Sequence, residues 1–142
     1  MLQSVIQGLV SLSGRLMLVT IFLLSAVGNK IPNYSKVVGI MKTVEVPYPE
    51  ISLGLAITFL IVGSISVILG YMARWGAFLL FVFMILATYY FHAFWKIPAS
   101  NPLFEQQMIQ FMKNLSIAGG MLFLMANGPG AWSLGGKPAG KK

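Results

Sequence analysis

The 142-residue chain has no cysteine and no aspartate, one histidine (His92) and only three glutamates, Glu45, Glu50 and Glu105. Without thiols it has no disulfide, no thiolate nucleophile, no iron–sulfur ligation and no cysteine-based zinc site. With a single histidine it cannot hold a bis-histidine haem within one chain; a His/Met site is left open by the nine methionines, although methionine in cores is usually filler. No protein-ligated metal and no covalently bound cofactor is expected. Walker loops, Rossmann glycine patterns, nucleophile elbows and zinc helices are all missing, so no complete active site can be read from the residues. Charge is scarce as well. Only 9% of residues are charged, against about a quarter in an average soluble domain.

What fills the space is apolar. Hydrophobic residues make up 57% of the chain and the mean hydropathy is +0.81. A soluble protein of this size has too much surface to cover for that composition, so lipid is the natural solvent. The net charge of +7 comes from ten basic side chains scattered between apolar blocks. That distribution suits membrane-flanking charge and not a nucleic-acid-binding face.

Four apolar blocks stand out: Leu9 to Val27, interrupted by Arg15; Ile51 to Met72; Trp75 to Trp95; and a fourth centred on Leu115 to Ala126 that begins near Pro102. About twenty helical residues match the hydrocarbon thickness. Only helices or closed barrels cross lipid, and the strict alternation of a barrel strand is absent. The predicted fold is therefore an all-α, integral membrane four-helix bundle, with one domain over residues 1–134 and a mobile basic tail over 135–142. Arg74 and Trp75 in the tight second connection, Trp95 at the end of the third span and Trp132 after the fourth are the predicted interface anchors. Asn101 before Pro102 reads as the N-cap of the last helix, with Glu105 in its first turn, and Gly128-Pro129-Gly130 as its stop. The long connection from Asn29 to Glu50 has a short helical stretch over Ser35–Thr43, and it reads either as an interfacial loop or as a lid. A leader peptide ending near Ser25-Ala26-Val27-Gly28 is disfavoured by the uncharged run before Arg15.

Polar groups at membrane depth are costly and point to function. Arg15 has apolar residues on both sides, and its guanidinium suits a carboxylate or phosphate unless it snorkels. His92 can relay a proton or bond a quinone carbonyl, or serve as a hydrogen-bonded structural residue. On a continuous helix, Tyr89, His92 and Lys96 share one side. Lys113 and Asn114 enter the fourth span and are the remaining candidates for a polar pocket with Arg15. Ser66 with Gly70, and Ser116 with Gly120, are small-residue pairs suited to close helix packing. Basic residues divide evenly between the two sides of a four-span topology. The short Arg74 turn and the basic tail favour both termini in the cytoplasm.

Several of these elements, in order, resemble the DoxX family over nearly the whole chain: Gly14-Arg15, Gly28-Asn29-Lys30, Pro47-Tyr48-Pro49, Gly70 with Arg74, Phe91-His92-Ala93-Phe94, Lys113-Asn114, Gly119-Gly120 and Gly128-Pro129-Gly130-Ala131-Trp132-Ser133-Leu134. The resemblance implies a four-helix bundle in a bacterial inner membrane, associated in some members with quinone-linked redox chemistry. This chain departs from the family where relatives often carry a glutamate before a glycine pair: it has Leu60-Ile61-Val62-Gly63-Ser64. It also has Gly135 where an aspartate often follows the final Ser-Leu. Three readings follow. One is an accessory redox subunit in which Arg15, His92, Lys113 and Asn114 line a pocket for a quinone-like or lipid molecule, the catalytic centre lying on a partner. Another is a non-enzymatic subunit packed in a larger membrane complex or homo-oligomer. A small-solute carrier is the third, although no inverted repeat is visible.

Overall fold

The computed structural model describes residues 1–135. Five α-helices follow in order: α1 (Leu2–Ser25), α2 (Tyr34–Thr43), α3 (Pro49–Leu69), α4 (Ala73–Phe91) and α5 (Phe104–Asn127). No strand occurs among the described residues. α1 runs on into a π-helical turn, Ala26–Lys30, in which Ile31 N–H reaches Ala26 O at 3.0 Å. A 3₁₀ turn, Phe94–Lys96, follows α4.

Each long helix buries one narrow stripe: Arg15, Val19 and Phe22 on α1; Leu53, Leu60, Ser64 and Val67 on α3; Ala73, Ala77, Leu80, Met84 and Thr88 on α4; Asn114, Ala118, Met121 and Leu124 on α5. Spacings of three, four and seven place each set on one helix face. The stripes meet in a common core, while large apolar side chains such as Met17, Phe123 and Trp75 point outward and are exposed. In water such a surface would aggregate; against acyl chains it costs nothing. α3 has 21 residues and spans about 31 Å at 1.5 Å per residue, the thickness of the hydrocarbon layer. The chain is a multi-pass membrane protein.

α3 and α4 are the closest pair, and glycine explains why. A Cβ on Gly63 would stand 2.9 Å from Gly76 O, and one on Gly76 would stand 2.8 Å from Gly63 O and 2.7 Å from Ser66 Cβ. The missing side chains let the backbones touch. Gly70 closes α3 in the left-handed region at φ +67°, which only glycine enters without cost. A second, smaller core of Val38, Met41 and Leu53 seats α2 on the start of α3.

Several boundaries differ from the sequence expectation. α1 begins at Leu2, not near Leu9, because nothing in the polar-flecked first turns breaks a helix. α5 begins at Phe104, two residues after Pro102, because Asn101 Oδ1 accepts from Leu103 N–H at 2.9 Å and holds a turn before the helix. α4 ends at Phe91, with His92 already outside it at φ −129°, ψ 36°. Tyr89, His92 and Lys96 therefore do not lie on one continuous helix, although Lys96 Nζ still reaches the Tyr89 ring, 5.3 Å from its centroid. The short helix expected over Ser35–Thr43 is present as α2. The expected mobile tail lies, apart from Gly135, outside the described residues; Gly135 N–H donates to Gly70 O at 3.0 Å.

Candidate functional site

Arg15 sits on the inner face of α1 and is 3% exposed. Its neighbours are backbone carbonyls. Nε donates to Ser11 O (3.4 Å), Nη1 to Ile68 O (2.8 Å) and Val67 O (3.5 Å), and Nη2 to Trp132 O (2.5 Å) and Ala131 O (3.2 Å). A guanidinium has five N–H groups, and all five find an acceptor. Val67 and Ile68 belong to the last turn of α3, whose carbonyls carry the negative end of the helix dipole; Val67 O also accepts from Gly70 N–H at 3.2 Å, whereas Ile68 O has no backbone donor among the described residues. The segment after α5 completes the knot. Leu134 N–H donates to Leu69 O at 2.9 Å, Ser11 Oγ donates to Pro129 O at 2.7 Å, and the Trp132 ring lies against Gly8. Trp132 itself adopts φ +52°, an uncommon conformation for an aromatic residue. Arg15 thus ties α1, α3 and the chain after α5 together with a single side chain.

The other candidates lie towards the opposite end. Thr88 is about 22 Å along α4 from Ala73. Its Oγ1 accepts from Asn114 Nδ2 at 3.0 Å, both groups being buried between α4 and α5. One turn further on, His92 Nδ1 pairs with the Gln107 side-chain amide at 2.8 Å, the imidazole tautomer deciding which group donates. Phe94, Trp95, Phe104 and Phe111 pack edge to face around the same end. Lys113 takes the outer face of α5 and is exposed beside a shallow groove with Glu105, Gln106 and Gln110. The structure therefore brings His92 and Asn114 to one seam, places Lys113 outside it and leaves Arg15 at the far end.

The residues expected to anchor the chain at the interfaces lie at both ends of the bundle. Trp75 and Trp95 are exposed, and Arg74 Nη2 reaches Ala126 O at 3.4 Å, linking the α3–α4 turn to the end of α5. Trp132 is half-engaged by the Arg15 knot. Sequence reasoning missed four participants. Thr88 and Gln107 carry no signal apart from their partners. Ser64 is fully buried with a hydroxyl that has no partner among the described residues, at the end of the stretch where the expected acid is missing. Lys30 points into the bundle. Among the described residues no group of histidine and acidic side chains is placed to hold a metal ion.

Residues 10–93 match the DoxX family. The chain belongs to the DoxX family. Among curated proteins it is 32% identical to the Escherichia coli inner membrane protein YphA over 87% of this chain and 86% of that one. It is 31% identical to the E. coli inner membrane protein YqjF over 82% and 83%. It is also 35% identical to a Drosophila melanogaster Surfeit locus protein 4 homolog, over 52% of this chain and 28% of the longer protein, and 32% identical to the Schizosaccharomyces pombe counterpart, over 48% and 22%. The DoxX chain therefore spans less than a third of the length of those eukaryotic relatives. No solved structure matches it significantly.

Proposed function

We propose that this DoxX protein is a small accessory subunit of a quinone-linked redox system in a bacterial inner membrane. In this reading it holds the head of a quinone or lipid at the α4–α5 end and leaves electron transfer to a partner chain. The observation that supports it is the polar seam of Thr88, Asn114, His92 and Gln107 beneath an aromatic cluster. In the tautomer in which Nδ1 accepts from the Gln107 amide, the imidazole Nε2–H suits a quinone carbonyl, and aromatic rings suit the quinone ring. The chain's lack of thiols and of a second histidine assigns any redox metal to the partner. The termini, on the side of the short Arg74 turn, are assigned to the cytoplasm.

A second reading, a non-enzymatic packing subunit of a larger complex or homo-oligomer, is favoured by Arg15, whose donors all serve the fold. One experiment separates the two. The protein is purified in gentle detergent, and co-purifying chains, quinones and lipids are measured by mass spectrometry for wild type, His92→Phe and Asn114→Leu. The redox reading expects about one quinone per bundle, lost in His92→Phe, together with a redox partner. A stable complex without quinone would leave the packing reading.

A further inference from the structure

A lysine at the end of a span ordinarily snorkels outward to the nearer interface. Lys30 does the reverse. It closes α1's π-helical turn, yet Nζ turns back about one helical turn into the span and donates to Ser25 Oγ at 2.5 Å. The ammonium also lies 5.3 Å from the centroid of the Phe83 ring, near the middle of α4. The π-turn accounts for the geometry, because its wider winding lines up residues five apart. Among the described residues the one ion pair is Lys42 with Glu50; neither Glu45 nor Glu105 approaches Lys30.

A cation at this depth is expensive unless it is paired. One hydroxyl and one aromatic face soften the cost without balancing the charge. Ser25 accepts from Lys30 and donates to no acceptor among the described residues, so its O–H remains available. Lys30, Ser25 and Phe83 are each half-buried, so the recess opens to the lipid. The open side fits the packing, for α1 and α5 make less backbone contact than the other neighbouring pairs of long helices.

We infer that Lys30 and Ser25 form a binding site for the anionic headgroup, phosphate or carboxylate, of a membrane amphiphile. In this site the Lys30 ammonium and the Ser25 hydroxyl both donate to the anionic oxygens, and the acyl chain lies along the open side of the bundle over Phe83. The site is separate from the His92 seam and does not depend on the redox reading.

The test is native mass spectrometry of the full chain released from nanodiscs containing phosphatidylglycerol and phosphatidylcholine in equal amounts. Wild type is expected to retain one phosphatidylglycerol in preference to phosphatidylcholine. Lys30→Gln should lose that preference by about tenfold to a hundredfold, the range set by one charge-assisted hydrogen bond. Lys30→Arg should keep most of it, Ser25→Ala should weaken it severalfold, and His92→Phe should leave it unchanged. Equal retention by wild type and Lys30→Gln overturns the inference. So does full displacement of the lipid by inorganic phosphate, which would mark a free-anion site, and so does a co-purifying chain whose carboxylate cross-links to Lys30 in place of lipid. If Lys30→Gln does not fold, Ser25→Ala and Lys30→Arg decide, since unchanged selectivity in Ser25→Ala overturns the inference equally.

Discussion

Replacing Arg15 by alanine tests how this bundle is held together. Of the five hydrogen bonds Arg15 makes, two are short, to Ile68 O at 2.8 Å and Trp132 O at 2.5 Å; the other three, at 3.2 to 3.5 Å, are weak. A hydrogen bond to a charged group contributes about 1.5–3 kcal/mol, so the two short ones together contribute about 3–6 kcal/mol. The carbonyls left behind at Ile68, Ala131 and Trp132 lose their donor, Val67 O keeps only the Gly70 N–H, and a cavity opens beside Val67. Against this, the variant no longer has a charge to desolvate, which offsets part of the loss. The net expectation is destabilisation of about 3–5 kcal/mol, a large share of the 5–15 kcal/mol typical of a folded domain. Arg15→Lys keeps the charge but not the fork and should fall between alanine and wild type. The assay is thermal unfolding in detergent, with limited proteolysis of the segment from Gly128 to Gly135 as a local readout. Arg15→Ala should melt earlier and expose that segment to cleavage. An unchanged melting temperature with the segment still protected would refute the knot and return Arg15 to the role of a ligand-binding cation.

Gly76→Ala drives a methyl group into Ser66 and Gly63 O and should cost about 1–3 kcal/mol as α3 and α4 are pushed apart; a thermal melt checks this. Asn114→Leu and Thr88→Val, combined in a double-mutant cycle, should show a coupling of about 0.6–1.7 kcal/mol, the range of interhelical hydrogen bonds in lipid, whereas zero coupling would remove that bond. Lys42→Ala, which breaks an ion pair exposed to solvent on both sides, should leave the melting temperature unchanged. Because the native chain has no cysteine, single cysteines can map its topology. Lys36→Cys and Asn101→Cys should label from one side of the membrane and Met72→Cys from the other.

The Arg15 knot shows where sequence reading stopped. Arginine in an apolar block signals that something must balance it, and a ligand and the fold itself leave the same trace in sequence. The balancing groups proved to be carbonyls of residues 67, 68, 131 and 132, more than fifty positions away, and a carbonyl has no residue type by which to be recognised. Asn114 was legible as a buried polar group for the same reason, while Thr88 was not, because threonine is common in spans. His92 was legible as a lone titratable group. Its partner Gln107 became identifiable only when α4 ended at Phe91 and turned the imidazole towards α5.

Composition and hydropathy by themselves determined the solvent, the helical class, the number of spans and the chemistry the chain cannot perform, because those follow from which atoms are present and from the obligation to satisfy backbone groups in lipid. Tertiary structure alone decided which polar groups meet. It put Arg15 among carbonyls at one end, His92 and Asn114 on the seam at the other, Lys113 on the outer face and Lys30 turned inward. Those outcomes depend on helix rotation and on where each helix stops. Both are set by long-range contacts, such as the touching backbones of Gly63 and Gly76, that no local pattern records.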